Sequence, residues 1–290
     1  MFDADSLHEI STGPASAAQP VMQRARGIAR VSFKHDGLKT CLDDLYQSGC
    51  AKVRLPKVYD TPPVAVIINT AGGITGGDRL SYEASVAPGG HAIATTQTAE
   101  RAYRRVEGHG QVATRLTAGN GATLEWLPQE AILFNASALH RSMQVDLEGN
   151  ARLIAVESVV IGRKAMEETM ETVEFQDRWR IRRDGKLIFA DDARVHGTPA
   201  DILGGPATLS GSMAFATFVD CAAEAGDRIK LARTLLQSFG PGAQVRAATS
   251  AWNGVLTARF AAPDGRSLRS ALIHFLETYR SAALPRVWSC

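Results

Sequence analysis

The chain has no CxxC pair, no run of about 18 apolar residues and no marked charge imbalance, and each absence removes a class of protein. Cys41, Cys50, Cys221 and Cys290 are scattered, which fits neither a zinc ribbon nor a dense disulfide framework; reduced thiols are the expectation. Without a long apolar run there is no candidate membrane helix. The opening residues carry Asp3, Asp5 and Glu9 and lack the greasy segment of a signal peptide. A cytoplasmic location with no membrane partner is therefore expected. Lys plus Arg number 32 against 30 Asp plus Glu, a net charge of +2, too small for a protein whose main partner is a phosphate backbone; no nucleic-acid partner is expected. Also missing are GxSxG, a Walker sequence and a dinucleotide fingerprint opening a helix. The chain reads as a non-enzyme with no tightly bound cofactor.

What is present argues for a folded, β-rich protein. A hydrophobic fraction of 45% over 290 residues is enough to build a sizeable core. Residues 1–27 are small and polar, without periodicity, and read as a loose N-terminal arm; 28–290 read as one domain. From Ile28 onward β-prone runs alternate with reversals. Asp36-Gly37, Asn120-Gly121 and Asp184-Gly185 carry the residue types of tight hairpin turns, so the expected pattern is hairpin after hairpin. Pro88-Gly89-Gly90, Gly108-His109-Gly110 and Gly149-Asn150 add looser reversals. Val173, Phe175, Trp179 and Ile181 alternate with Glu174, Gln176, Arg178 and Arg180, the signature of a half-buried strand. Leu153–Val156 and Val159–Ile161 are apolar on both faces, which implies cover on each side.

Helical periodicity is convincing only over Asp227–Phe239, with Gly240-Pro241 as its stop, and over Ser267–Tyr279, where Leu268, Leu272, Phe275, Leu276 and Tyr279 share a stripe. Between them, Ala243–Phe260 reads as a strand pair turning at Asn253-Gly254. The expected fold is mainly β: an elongated β-helical or stacked antiparallel-sheet domain with two α-helices in the C-terminal third.

Four features could carry chemistry. The glycine-rich segment Gly72–Asp78 follows an apolar strand and raises phosphate binding or catalysis as an alternative function. With neither Lys nor a helix after it, a tight turn with close backbone approach is the better reading. Glu157 sits inside the doubly apolar strand and needs a partner, either in a structural ion pair, with Arg163 a candidate, or in an internal polar path. The seven histidines show no local metal-ligand spacing, so only residues distant in sequence could assemble a site. Arg178, Arg180, Arg182 and Arg183 face Asp191 and Asp192 across a turn, which reads as cross-strand ion pairing on a solvated face, with a docking patch as the alternative.

Six ordered segments together resemble the urease accessory protein D family. They are Leu45–Gly49 running into Lys52–Pro56, Asn69–Asp78, Thr95–Arg104, Leu124–Glu130 continuing to Phe134, Glu157–Arg163 and Leu284–Trp288. Two departures stand out: Glu167 takes a place where the family commonly has Gly, and 195–280 matches only in general character. The resemblance implies a non-catalytic scaffold that binds accessory protein F and, through it, the GTPase accessory protein G, in a dimeric assembly that contacts apo-urease and supports nickel delivery. It also implies transient nickel passing through an internal polar passage, for which Asp78, Glu100, Glu157 and Asp191 are the candidate lining residues. Arg286 and Trp288 in the tail are candidates for the surface that binds protein F, Trp288 folding back onto its own core being the competing reading. A structural adaptor that never handles metal is a further alternative.

Overall fold

A computed structural model describes residues 23–58, 62–162, 169–239 and 244–289. The chain opens with a hairpin, β1 (Arg26–His35) and β2 (Thr40–Gly49), followed by β3 (Ala51–Arg54). It then winds. Strands β4 (Val64–Asn69), β5 (Arg79–Val86), β6 (His91–Thr96), β7 (Glu100–Ala102), β8 (Gly110–Ala118), β9 (Thr123–Trp126), β10 (Ala131–Leu133), β11 (Ala138–Leu147), β12 (Arg152–Ile161) and β13 (Val173–Arg183) pass back and forth between two sheets. β14 (Lys186–Gly197) closes the first sheet by a hairpin. A five-residue helix α1 (Pro199–Leu203), β15 (Ala214–Cys221), α2 (Ile229–Gln237), β16 (Arg246–Trp252), β17 (Val255–Ala262) and α3 (Gly265–Arg280) complete it.

One sheet runs β14-β13-β11-β8-β5-β1-β2 and the other β16-β17-β15-β12-β9-β6-β4-β3, with β7 and β10 forming a short side ladder onto β12. Within the winding region the neighbours are parallel: β5 with β8, β8 with β11, β11 with β13, and likewise β4, β6, β9 and β12. This is a β-solenoid, which corrects the hairpin-after-hairpin expectation. Asn120-Gly121 joins β8 of one sheet to β9 of the other. The backbone explains the difference. In the hairpin turns Asp184-Gly185 and Asn253-Gly254 both residues have positive φ, whereas at Asn120-Gly121 only the glycine does, at 71°. The first pattern suits a hairpin and the second a corner. The corners stack on one another: the Gly89 amide donates to the Asn120 carbonyl, and Asn120 Oδ1 accepts from the Asn150 amide.

Burial follows the layers. β1 alternates, with Ala29, Val31 and Phe33 turned inward and its outer face exposed. β12 is different: Leu153, Ala155, Val159 and Ile161 join the core between the sheets, while Ile154 and Val156 join a second core beneath the helices. The helical stripe read from sequence provides that second core, with Leu268, Leu272, Phe275, Leu276 and Tyr279 all buried. Each such side chain contributes about 1.5–3 kcal/mol. α3 starts at Asp264, whose side chain accepts from the Ser267 amide. Its other end is clamped by Arg280, which donates to buried Glu125 of β9. β16 and β17 form the expected antiparallel pair. The first 22 residues of the expected arm, Gly240-Pro241 and Glu167 lie outside the described residues; the first strand begins at Arg26, inside the stretch read as arm.

Candidate functional site

The glycine-rich segment is a packing device. A Cβ on Gly76 would stand 1.9 Å from the Glu107 carbonyl, and one on Gly73 would strike Tyr103 and the Arg101 carbonyl. The loop lies that close to the next coil, and Ile74 bridges to Ala102. Five of its seven amides are already used. Gly72 donates to Asn69, Ile74 to Arg101, Gly77 to His109 and Asp78 to Thr75, while Thr75 donates to Asp78 Oδ2 at 2.8 Å. The loop is left without a run of consecutive free amides to cradle a phosphate. Asp78 Oδ1 accepts from the Ala25 amide at 2.7 Å, so both of its oxygens staple backbone.

Glu100, at the start of β7, stands next to this loop. Its two oxygens accept from Asn69 Nδ2 at 3.2 Å, and the Arg101 amide adds a third hydrogen bond. Burial outweighs these bonds and pushes its pKa up to about 7. Glu100 lines two cavities. The outer one includes Asn69, Gln97, Thr98 and Arg101; the inner one, about 40 Å³, lies between the sheets and is large enough for a few waters.

At the far side of the inner cavity Glu157 of β12 and Asp177 of β13 share one guanidinium, that of Arg141 on β11. Each of these three side chains is only 10% exposed. Trp126 Nε1 donates to Glu157 Oε1 at 2.9 Å. Burial raises the pKa of Glu157, and the neighbouring Asp177 carboxylate adds to the rise. The expected partner Arg163 lies outside the described residues; the observed one is Arg141.

A third cavity, about 220 Å³, lies on the opposite, solvent-facing side of the first sheet. Alternation along β8, β11 and β13 turns Val112, Arg141 and Asp177 towards the core and Gln111, His140, Ser142, Gln176 and Arg178 outward. His109 also lines the outer cavity. His109 and His140 stack with ring centroids 3.8 Å apart, and His140 Nε2 stands 2.9 Å from Glu174 Oε1. Tyr82, Thr96 and Glu100 belong to both the first and second cavities. Those two therefore abut, and the third is set apart from the second by the sheet itself.

Of the four candidate lining residues, the solenoid brings Glu100 and Glu157 to one cavity. Asp78 and Asp191 line none of the three. Asp191 on β14 instead bridges the sheets, with Arg259 Nη2 at 2.6 Å. The neighbouring cross-strand pair Arg178–Asp192 forms at 3.2 Å, as read from sequence. Arg141, Asp177, His109, His140 and Glu174 were not singled out as site residues. Their only sequence signal is a register of about one coil, with Arg141 and Asp177 36 residues apart.

Of the two readings of the tail, the structure matches the one in which Trp288 folds back onto its own core. Trp288 is 3% exposed, with Nε1 donating to the Leu127 carbonyl at 3.0 Å and the Arg269 guanidinium over its ring. An indole held in this way is a core residue and not a free anchor for another protein. Arg286 remains on the surface.

The chain is thus a two-sheet β-solenoid with a helical layer on one face and two adjoining cavities lined by ionisable groups. Comparison with known proteins gives the family: the UreD urease accessory protein model matches residues 25–289, and the chain belongs to that family. It is 43% identical over 279 residues to the urease accessory protein UreD of Chelativorans sp. (strain BNC1), covering 96% of this chain and 99% of the relative. The corresponding protein of Jannaschia sp. (strain CCS1) is 45% identical over 272 residues, covering 94% and 98%. That of Rhizobium etli is 43% identical over 276 residues, covering 95% and 98%.

Proposed function

We propose that this chain is a non-catalytic accessory protein of urease maturation that carries nickel, as cargo, through the interior of its solenoid. In this reading it acts in the cytoplasm, binds accessory protein F directly and the GTPase accessory protein G through it, in a dimeric assembly docked on apo-urease. GTP is hydrolysed by the partner. The observation that carries the passage is the pair of abutting cavities that share Glu100, with Glu157 on the wall of the inner one.

The chemistry suits transit better than storage. Near neutral pH a cation gains Glu100 only in competition with a proton, because that carboxyl titrates at about 7. At Glu157 and Asp177 it competes with the Arg141 guanidinium. Oxygen donors with such competitors hold a divalent ion weakly. The narrow inner cavity admits only a few waters, so an ion passing it sheds part of its hydration shell onto wall oxygens. Asp78 and Asp191, the other two candidates, stand outside this route, and the reading rests on Glu100 and Glu157.

The test is urease activity and nickel per urease in cells expressing the urease operon with the parent chain, without it, and with Glu157→Gln or Glu100→Gln. Nickel-poor urease in the absence of the chain supports the maturation role. Nickel-poor urease with either variant, while the accessory complex still co-purifies with urease, supports the passage. Normal nickel with both variants leaves the adaptor reading and removes the passage.

A further inference from the structure

We propose that His109, His140 and Glu174 form a binding site for a divalent first-row transition-metal cation, beside the cavity on the solvent-facing side of the first sheet. The winding of the chain builds the cluster. His109 precedes β8, His140 lies on β11 and Glu174 on β13, and these are neighbouring parallel strands of one sheet. The side chains therefore meet although they are far apart in sequence. One donor atom from each lies within 4.8 Å of the others, all three groups are part-exposed, and the two histidines line a pocket of about 220 Å³. Donors around a bound ion at about 2.1 Å stand about 3 Å apart, so small side-chain rotations close the set.

The contacts around the cluster suit a metal. The His109 ring stacks on that of His140 with centroids 3.8 Å apart, and His109 Nε2 stands 3.0 Å from the Gln111 amide nitrogen. Between His140 Nε2 and Glu174 Oε1, 2.9 Å apart, lies a single proton. A cation entering there takes the place of that proton, which leaves to solvent. Arg105 Nη1 stands 2.6 Å from the other oxygen, Oε2, and orients the carboxylate from behind.

Two imidazoles and one carboxylate suit zinc, cobalt, nickel or copper and give little hold on magnesium or calcium. Arg105 and Arg178 add positive charge beside the pocket. That repulsion makes the site moderate in affinity and exchangeable. The inference stands on this geometry and needs no assumption about urease.

The test is calorimetric titration of the full-length chain with Zn2+ and Ni2+, compared with His109→Ala and His140→Asn, with circular dichroism as a check on folding. Parent binding weakened at least about tenfold in both variants, and undisturbed by excess Mg2+, is the expected result. The Cu2+ form of the parent provides a reading that needs no variant: electron paramagnetic resonance should show coupling to two imidazole nitrogens. No binding by the parent, equal binding by folded variants, or a copper spectrum without two imidazole nitrogens would overturn the site. Because the readout is metal binding by this chain alone, it stays informative whether or not urease maturation depends on the passage.

Discussion

Replacing Arg141 with Met tests the interior of the solenoid most directly. The guanidinium is the shared counter-charge of Glu157 and Asp177, and all three side chains are enclosed between the sheets. Met keeps most of the volume and removes the charge, leaving two carboxyl groups facing each other in a small cavity. Breaking a buried pair in this way costs about 3–5 kcal/mol. The lower half of that range is expected, because room for a few waters and the Trp126 hydrogen bond remain. The assay is equilibrium unfolding in urea at pH 7.5, followed by circular dichroism. Acidification should restore part of the loss: with the cation gone, both carboxyl groups hold protons more tightly folded than unfolded, so stability rises as pH falls towards about 4–5. The triple variant with Glu157→Gln and Asp177→Asn should recover most of the parent's stability. A loss under about 1 kcal/mol for the single variant, or a triple variant no more stable than the single, would refute the argument that these charges are mutually dependent.

Glu100→Gln should alter how stability depends on pH. With the folded pKa at about 7 and the unfolded value near 4.5, the folded parent keeps a proton that the unfolded chain releases in that window. Parent stability therefore falls by about 3 kcal/mol relative to the variant as pH rises from 4.5 to 7; thermal unfolding at several pH values checks this, and parallel curves would count against it. Gly76→Ala should destabilise more than Gly72→Ala: the second meets only the left-handed backbone cost of about 1–2 kcal/mol, whereas the first drives a Cβ into the Glu107 carbonyl. Equal losses on urea unfolding would contradict the close-approach reading of the loop. Trp288→Ala should cost about 3–5 kcal/mol as a core truncation, and a loss below about 1 kcal/mol would show that the indole is not held in the core as described.

Local pattern made much of the fold legible, and long-range register accounts for what it did not. The helical stripe from Leu268 to Tyr279, the Asn253-Gly254 hairpin and the two-faced apolar run of β12 were readable because each depends on a periodicity within a few residues. The parallel winding was hidden by uneven coils. Tyr82, Thr114, Met143 and Trp179 occupy one ladder, yet they lie 32, 29 and 36 residues apart, so no fixed repeat appears in the sequence. The same unevenness hid the site. His109, His140 and Glu174, or Arg141 and Asp177, become neighbours only once the coils are stacked. Glu157 could be singled out earlier because a carboxylate inside an apolar strand is conspicuous without any partner in view.

Most strands of the first sheet have one side on which substitutions touch only solvent, but β12 has none. Its odd-numbered positions face the core between the sheets, with Glu157 on the wall of the interior cavity, and its even-numbered neighbours Ile154 and Val156 carry the helical layer. A shift of α3 by a docked protein would therefore reach the Glu157 carboxylate through a single residue of backbone. Evolution can drift on the outer face of β1 without affecting the cavities. On β12, a change chosen to adjust one layer is transmitted to the other.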